Sequence, residues 1–126
     1  MKINLLRCSF FLILSFTATI SCSDSDDTLN TVCGTTDPIE ELDWLRSEIA
    51  IRRRDVSEDA KYQYISSAEF EGQTVFLYRS CDPKANVIVP VHDCEGQNLG
   101  EIGNEFVLDD FTNIQLLFKP LNFACE

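Results

Sequence analysis

The chain reads as an α+β domain in which one N-terminal amphipathic helix packs on a four- or five-stranded, mainly antiparallel sheet carrying two disulfides. Three features predict this. Apolar residues recur every three or four positions over residues 38–52. Beyond Ser57, β-branched and aromatic runs alternate with turn signals. Four cysteines, Cys33, Cys81, Cys94 and Cys125, bracket the same region. A length of 126 residues permits one modest domain, and a hydrophobic content of 44% is ordinary for a folded chain.

The first 21 residues read as a signal peptide rather than as part of the fold. Lys2 and Arg7 give a positive start, and Phe10, Phe11, Leu12, Ile13, Leu14, Phe16 and Ile20 form an apolar stretch interrupted by Ser15, Thr17 and Thr19. A spanning helix needs roughly 20 predominantly apolar residues and a signal core about 7–15, and the sequence turns polar abruptly at Ser21. Cysteine parity then locates the cleavage. Cys8 leaves with the signal, so Cys22, Cys33, Cys81, Cys94 and Cys125 remain, an odd set for a compartment that oxidises thiols. Lipidation of Cys22 as the first mature residue leaves four cysteines for two disulfides. Thr19-Ile20-Ser21-Cys22 resembles a lipobox, with Thr19 where Leu is commonest.

Residues 22–32 read as the lipidated cysteine and an acidic, flexible tether, about ten residues with a mean span a little under ~20 Å. Ser23-Asp24-Ser25-Asp26-Asp27 resembles the export signal that follows the acylated cysteine in surface lipoproteins of Bacteroidetes-type bacteria. Asp27-Thr28-Leu29 is similar to the short O-glycosylation site of the same bacteria, with Thr28 as acceptor.

The domain is expected over residues 33–126. Asp37 suits an N-cap, Pro38 the first helical position and Glu40 the third, completing a capping box. Ile39, Leu42, Leu45 and Ile49 form the buried stripe, with Trp44 beside them. Glu40, Glu41 and Asp43 at the start and Arg52, Arg53 and Arg54 at the end complement the helix dipole. Tyr62, Tyr64 and Ile65 open the strand region. Thr74–Tyr78 follows the turn signal Glu71-Gly72, and Val87–Val91 follows Asp82-Pro83. Pro90 lacks a ladder donor and belongs at an edge or bulge. Glu95–Asn98 is a turn, residues 99–102 a short strand, Phe106–Phe111 a loop or helical turn, and Ile114–Phe118 the last strand. Phe76 and Tyr78 share one face of the sheet and Val75 and Leu77 the other. One face covers the helix, and the second could present aromatic groups to a partner.

If the strands before Cys81 and Cys94 form a hairpin, these two cysteines lie about 20 Å apart, beyond the roughly 7 Å that a disulfide tolerates. Cys33–Cys81 with Cys94–Cys125, or Cys33–Cys94 with Cys81–Cys125, survive, and the first is slightly preferred.

Groups for catalysis are few. His92 is the single histidine, and adjacent Asp93 should point to the opposite face, which works against a base–orienter pair. Cys81, Cys94, Cys125 and His92 lack the short Cys-x₂₋₄-Cys knuckle of a zinc site, and no Cys-x-x-Cys redox pair is present. Residues 93–98 offer some oxygen ligands of a calcium loop, but turn chemistry accounts for them, as it does for Asp109-Asp110. No catalytic residue, metal or cofactor is therefore expected. The net charge of −11 argues against nucleic acid as a partner. Removing Lys2 and Arg7 leaves 8 basic and 21 acidic groups, or −13, a body held to membrane by acyl chains rather than by surface charge.

Cys33-Gly34-x-x-x-Pro38-x-x-x-Leu42-x-Trp44-Leu45, then Glu71–Phe76, then His92-Asp93-Cys94-Glu95-Gly96 resembles a family of small Bacteroidetes-type surface lipoproteins. The resemblance covers residues 33–96 and implies the surface address and the helix-then-sheet order; it implies no activity, substrate or site. The resulting expectation is a monomeric, non-enzymatic outer-membrane lipoprotein displayed at the surface, a small binding or inhibitor-like module for a protein or glycan. The alternatives are a periplasm-facing orientation, a small hydrolase that uses carboxylates with His92, and a structural component of the envelope.

Overall fold

The structure, a computed structural model, describes residues 31–86 and 88–126. The signal peptide, Cys22, the acidic segment Ser23–Asp27 and Thr28 lie outside the described residues. The elements are two short helices, α1 (Pro38–Glu41) and α2 (Asp43–Arg54), and strands β1 (Gln63–Phe70), β2 (Gln73–Ser80), β3 (Val89–His92), β4 (Asn98–Ile102) and β5 (Thr112–Phe118). Single 3₁₀ turns at Ala60–Tyr62 and Leu108–Asp110 lead into β1 and β5. The sheet order is β4-β3-β2-β1-β5 with every pairing antiparallel. This is the predicted α+β architecture with five strands.

The predicted single helix is broken at Leu42. Asp37 caps α1 by accepting the Glu40 N–H at 3.3 Å, but its own N–H goes to Thr35 Oγ1 at 3.1 Å instead of to Glu40. Leu42 is extended (φ −91°, ψ 103°), which leaves the Glu40 carbonyl without its helical donor. Arg46 Nη1 donates to that carbonyl at 2.6 Å, while its other arm pairs with Asp43. The offset between the helices brings Ile39, Leu42, Trp44, Leu45 and Ile49 together against one sheet face.

A tight hairpin joins β1 to β2, in register from Gln63↔Ser80 to Phe70↔Gln73. Its two loop residues, Glu71 and Gly72, both have positive φ, 50° and 77°, the twist that a two-residue hairpin requires. Pro90 lies in an inner strand rather than at an edge, just before the irregularity between Val91 and His92 in the β3–β4 ladder. The missing donor is tolerated because the β2–β3 ladder is confined to Phe76↔His92 and Leu77↔Val91, so β3 has left β2 by Pro90. The strand spans Val89–His92, and residue 87 of the expected run lies outside the described residues.

Apolar cores cover both faces of the sheet. On the helix side, Val32, Leu45, Ile49, Ile65, Phe76 and Phe118 are buried together, so the folded body takes in Val32. The other face carries Ala68, Val75, Leu77, Val91 and Phe111. It is not the free aromatic surface considered above. Phe70 at the end of β1 packs with Phe106 and Phe111, which the segment between β4 and β5 brings over this face, their rings 5.1–5.7 Å apart. Phe76 and Tyr78 face the helices instead, with the Trp44 ring edge-on to Phe76 at 5.0 Å.

The disulfides are Cys33–Cys94 and Cys81–Cys125, with Cα separations of 5.7 and 5.9 Å. The pairing slightly preferred from sequence is thus corrected in favour of its alternative. The cause is the placement of β5. It runs antiparallel to β1 with Phe118 opposite Ile65, so the chain leaves β5 beside the start of β1, which is also where β2 ends. Ala124 N–H then bonds the Lys61 carbonyl at 2.9 Å, and Cys81 N–H the Tyr62 carbonyl at 3.1 Å, bringing Cys125 to Cys81. At the opposite end, Trp44 Nε1 donates to the Cys94 carbonyl at 2.8 Å beside the bond to Cys33.

Candidate functional site

The end of α2 and the segment leaving β5 do not close against each other. Between them runs a groove of about 780 Å³, within the roughly 300–1,000 Å³ range of ligand-sized pockets. Ile39 of α1, Leu117 and Phe118 of β5 and Pro120 give it an apolar floor, with Val56 and Leu121 on its margins. Val56 and Leu121 are almost fully exposed, 96% and 110% of a reference side chain. The remaining lining is Arg52, Arg53, Asp55, Lys119 and Asn122.

The charged lining groups are not equivalent. Arg52 is engaged, its Nε donating to Glu48 at 2.9 Å and its Nη1 to Gln63 at 2.8 Å. Its guanidinium also lies 4.7 Å from the centre of the Tyr78 ring. Arg53 and Lys119 are exposed and have no ion-pair partner among the described residues. Asp55 is the one carboxylate. The Ser57 N–H bonds it at 2.9 Å and holds its carboxyl below the usual range, so it is ionised at neutral pH. Three cations therefore line the groove against one anion.

His92 sits on the same sheet face, stacked on Tyr78 with ring centres 4.3 Å apart and planes 25° from parallel. Its Nδ1 is buried without a hydrogen-bond partner. Burial lowers its pKa and outweighs the opposing pull of Glu48 and Asp93, while Arg52 lowers it further. Burial likewise pushes the Tyr78 hydroxyl up to about 12. Among the described contacts, no carboxylate hydrogen-bonds the imidazole. The Asp93 carboxylate accepts the Glu95 and Gln97 N–H groups at 2.9 and 2.8 Å, an Asx turn that occupies it as a local cap. Asp110 similarly accepts the Val107 N–H at 2.9 Å. Among the described residues, no group of three or more His, Cys, Asp or Glu side chains is placed to hold a metal ion.

The groove was not singled out from sequence. Arg52–Arg54 complements the helix dipole in the sequence, and Val56 and Leu121 lie outside any periodic segment. Four other residues, Cys33, Trp44, Cys94 and Gly96, do come together. Cys33 is bonded to Cys94, Trp44 bonds the Cys94 carbonyl, and Gly96 packs against the indole. They build the end of the domain near Cys33 rather than the groove. Compared with models of known families, with curated proteins and with solved structures, the chain matches none.

Proposed function

We propose that the chain is a lipid-anchored, non-catalytic binding module of the cell envelope, displayed outward from the outer membrane, with the groove between α2 and the segment after β5 as its ligand site. Cysteine parity carries the reading. The four cysteines after residue 32 pair with one another, which leaves Cys22 over once Cys8 departs with a signal peptide. Disulfides belong to an oxidising compartment, in keeping with the leader-like start of the chain. Acylation at Cys22 and the following Ser23–Asp27 segment supply the address, and Thr28 is a candidate for glycosylation. A mature charge of −13, from 8 basic and 21 acidic groups, makes lipid rather than electrostatics the means of attachment.

Labelled palmitate tests the anchor. It should enter the wild-type chain, and Cys22→Ala should abolish the labelling and release the protein from the membrane fraction. Protease added to intact cells then distinguishes outward display from a periplasmic orientation. Wild-type protein that stays unlabelled and soluble would remove the anchoring half of the proposal.

A further inference from the structure

We propose that the groove takes a single-chain amphiphile with a monoanionic head, its hydrocarbon tail lying along Ile39, Leu117 and Leu121 and its head between Arg53 and Lys119. This deepens the binding-module reading and rests on it for the identity of the site.

The argument is one of charge against background. Residues 22–126 hold eight cationic side chains, the chain's ten less Lys2 and Arg7. Three of the eight, Arg52, Arg53 and Lys119, line this one groove beside a single carboxylate, Asp55. From residue 85 to residue 118 the chain has no Lys or Arg at all and carries Asp93, Glu95, Glu101, Glu105, Asp109 and Asp110. A local cationic rim on so acidic a body favours an anion there and disfavours a cation. Arg52 is held by Glu48 and Gln63, so the lining cations without an ion-pair partner among the described residues are Arg53 and Lys119, the latter with its Nζ 5.6 Å from the centre of the Phe123 ring. The floor, formed by Ile39, Leu117, Phe118 and Pro120, is apolar, which suits an alkyl chain.

The occupant is a free, monomeric amphiphile rather than a bilayer surface. The groove is concave and ligand-sized, and a body of net charge −13 is repelled by an anionic membrane over a Debye length. A single small anion instead meets mainly the local rim.

The test uses the full chain carrying Cys22→Ser, recovered oxidised, so that its outcome is independent of acylation. Calorimetric titration with decanoate and dodecanoate below their micellar concentrations should give one saturable site. The longer chain should bind roughly tenfold tighter, as two further methylenes leave water. Dodecyltrimethylammonium should bind at least tenfold more weakly than dodecanoate. Arg53→Glu/Lys119→Glu, two exposed positions, should weaken dodecanoate by about tenfold or more and reverse the sign of its salt dependence. Leu121→Asp should weaken both fatty acids, and an unchanged urea midpoint would show that each variant is folded. Absence of saturable binding, equal affinity for the cationic amphiphile, or indifference to the Arg53/Lys119 reversal would overturn the proposal. So would co-sedimentation with anionic vesicles without stoichiometric binding of the monomeric acid. None of these results touches the anchor, which palmitate labelling tests separately.

Discussion

Gly96→Ala should be among the most damaging single-atom additions to this domain. A Cβ built at Gly96 would lie 2.7 Å from Trp44 Cδ2, 2.9 Å from Cγ and 3.0 Å from Cε3. The indole cannot retreat easily, because its Nε1 is bonded to the Cys94 carbonyl at 2.8 Å and its ring packs on Phe76. Gly96 also has φ +79°, where an L side chain costs about 1–2 kcal/mol in local sterics. Overpacking adds typically 1–3 kcal/mol, so the total should be about 2–5 kcal/mol. Gly72→Ala provides the control. Gly72 has nearly the same φ, +77°, but nothing within 4 Å of its added Cβ, so it isolates the backbone contribution. Urea unfolding followed by the fluorescence of Trp44, the single tryptophan, measures both. With a slope of about 1–2 kcal/mol per molar for a domain this small, the overpacking of about 1–3 kcal/mol should lower the midpoint of Gly96→Ala by about 0.5–3 M beyond that of Gly72→Ala. Equal midpoints for the two variants would refute the close approach of Trp44 to the Cys94–Gly96 turn.

Two further outcomes follow from the same geometry. Non-reducing peptide mapping should recover Cys33 linked to Cys94 and Cys81 linked to Cys125. Loops closed over 61 and 44 residues imply that removing either bond costs about 4 kcal/mol on the chain-entropy model, measured as a fall in urea midpoint for the paired Ser variants. For His92, burial depresses the folded-state pKa, so the unfolded chain binds the proton more readily. Stability is therefore fully present above the unfolded-state value of about 6.5 and falls as pH drops through it towards the folded-state value. His92→Phe, which keeps a ring on Tyr78 and cannot titrate, should flatten the stability profile between about pH 7 and pH 5; an unaltered profile would show that His92 is not desolvated.

The architecture was legible where local chemistry and tertiary packing agree. Asp37-Pro38 marks the helix start, Glu71-Gly72 the hairpin, and Ile39, Leu45 and Ile49 the buried stripe, because cap, turn and periodicity are all short-range signals. The break at Leu42 was not, since Arg46 supplies the Glu40 carbonyl's partner from six residues away. The disulfide partners turned on one non-local fact, that β5 pairs with β1 at the sheet edge. Geometry within the β2–β3 pair correctly excluded Cys81–Cys94 but could not say where the chain goes after Phe118. The second core was missed for a similar reason. Phe106 and Phe111 have no strand periodicity, and only the fold of their loop brings them over Val75 and Leu77. The groove is hardest to read from sequence because Ile39, Arg53, Val56, Lys119 and Leu121 come from three separated segments.

The most direct measurement is the intact mass of the mature protein isolated from membranes, followed by fragmentation of its N-terminal peptide. The account predicts a chain that begins at Cys22 with fatty acyl mass on that residue, and four remaining cysteines oxidised in two pairs. An N-terminus near Ala18 with Cys22 as an unmodified thiol, or Cys22 disulfide-linked to a second copy, would contradict it.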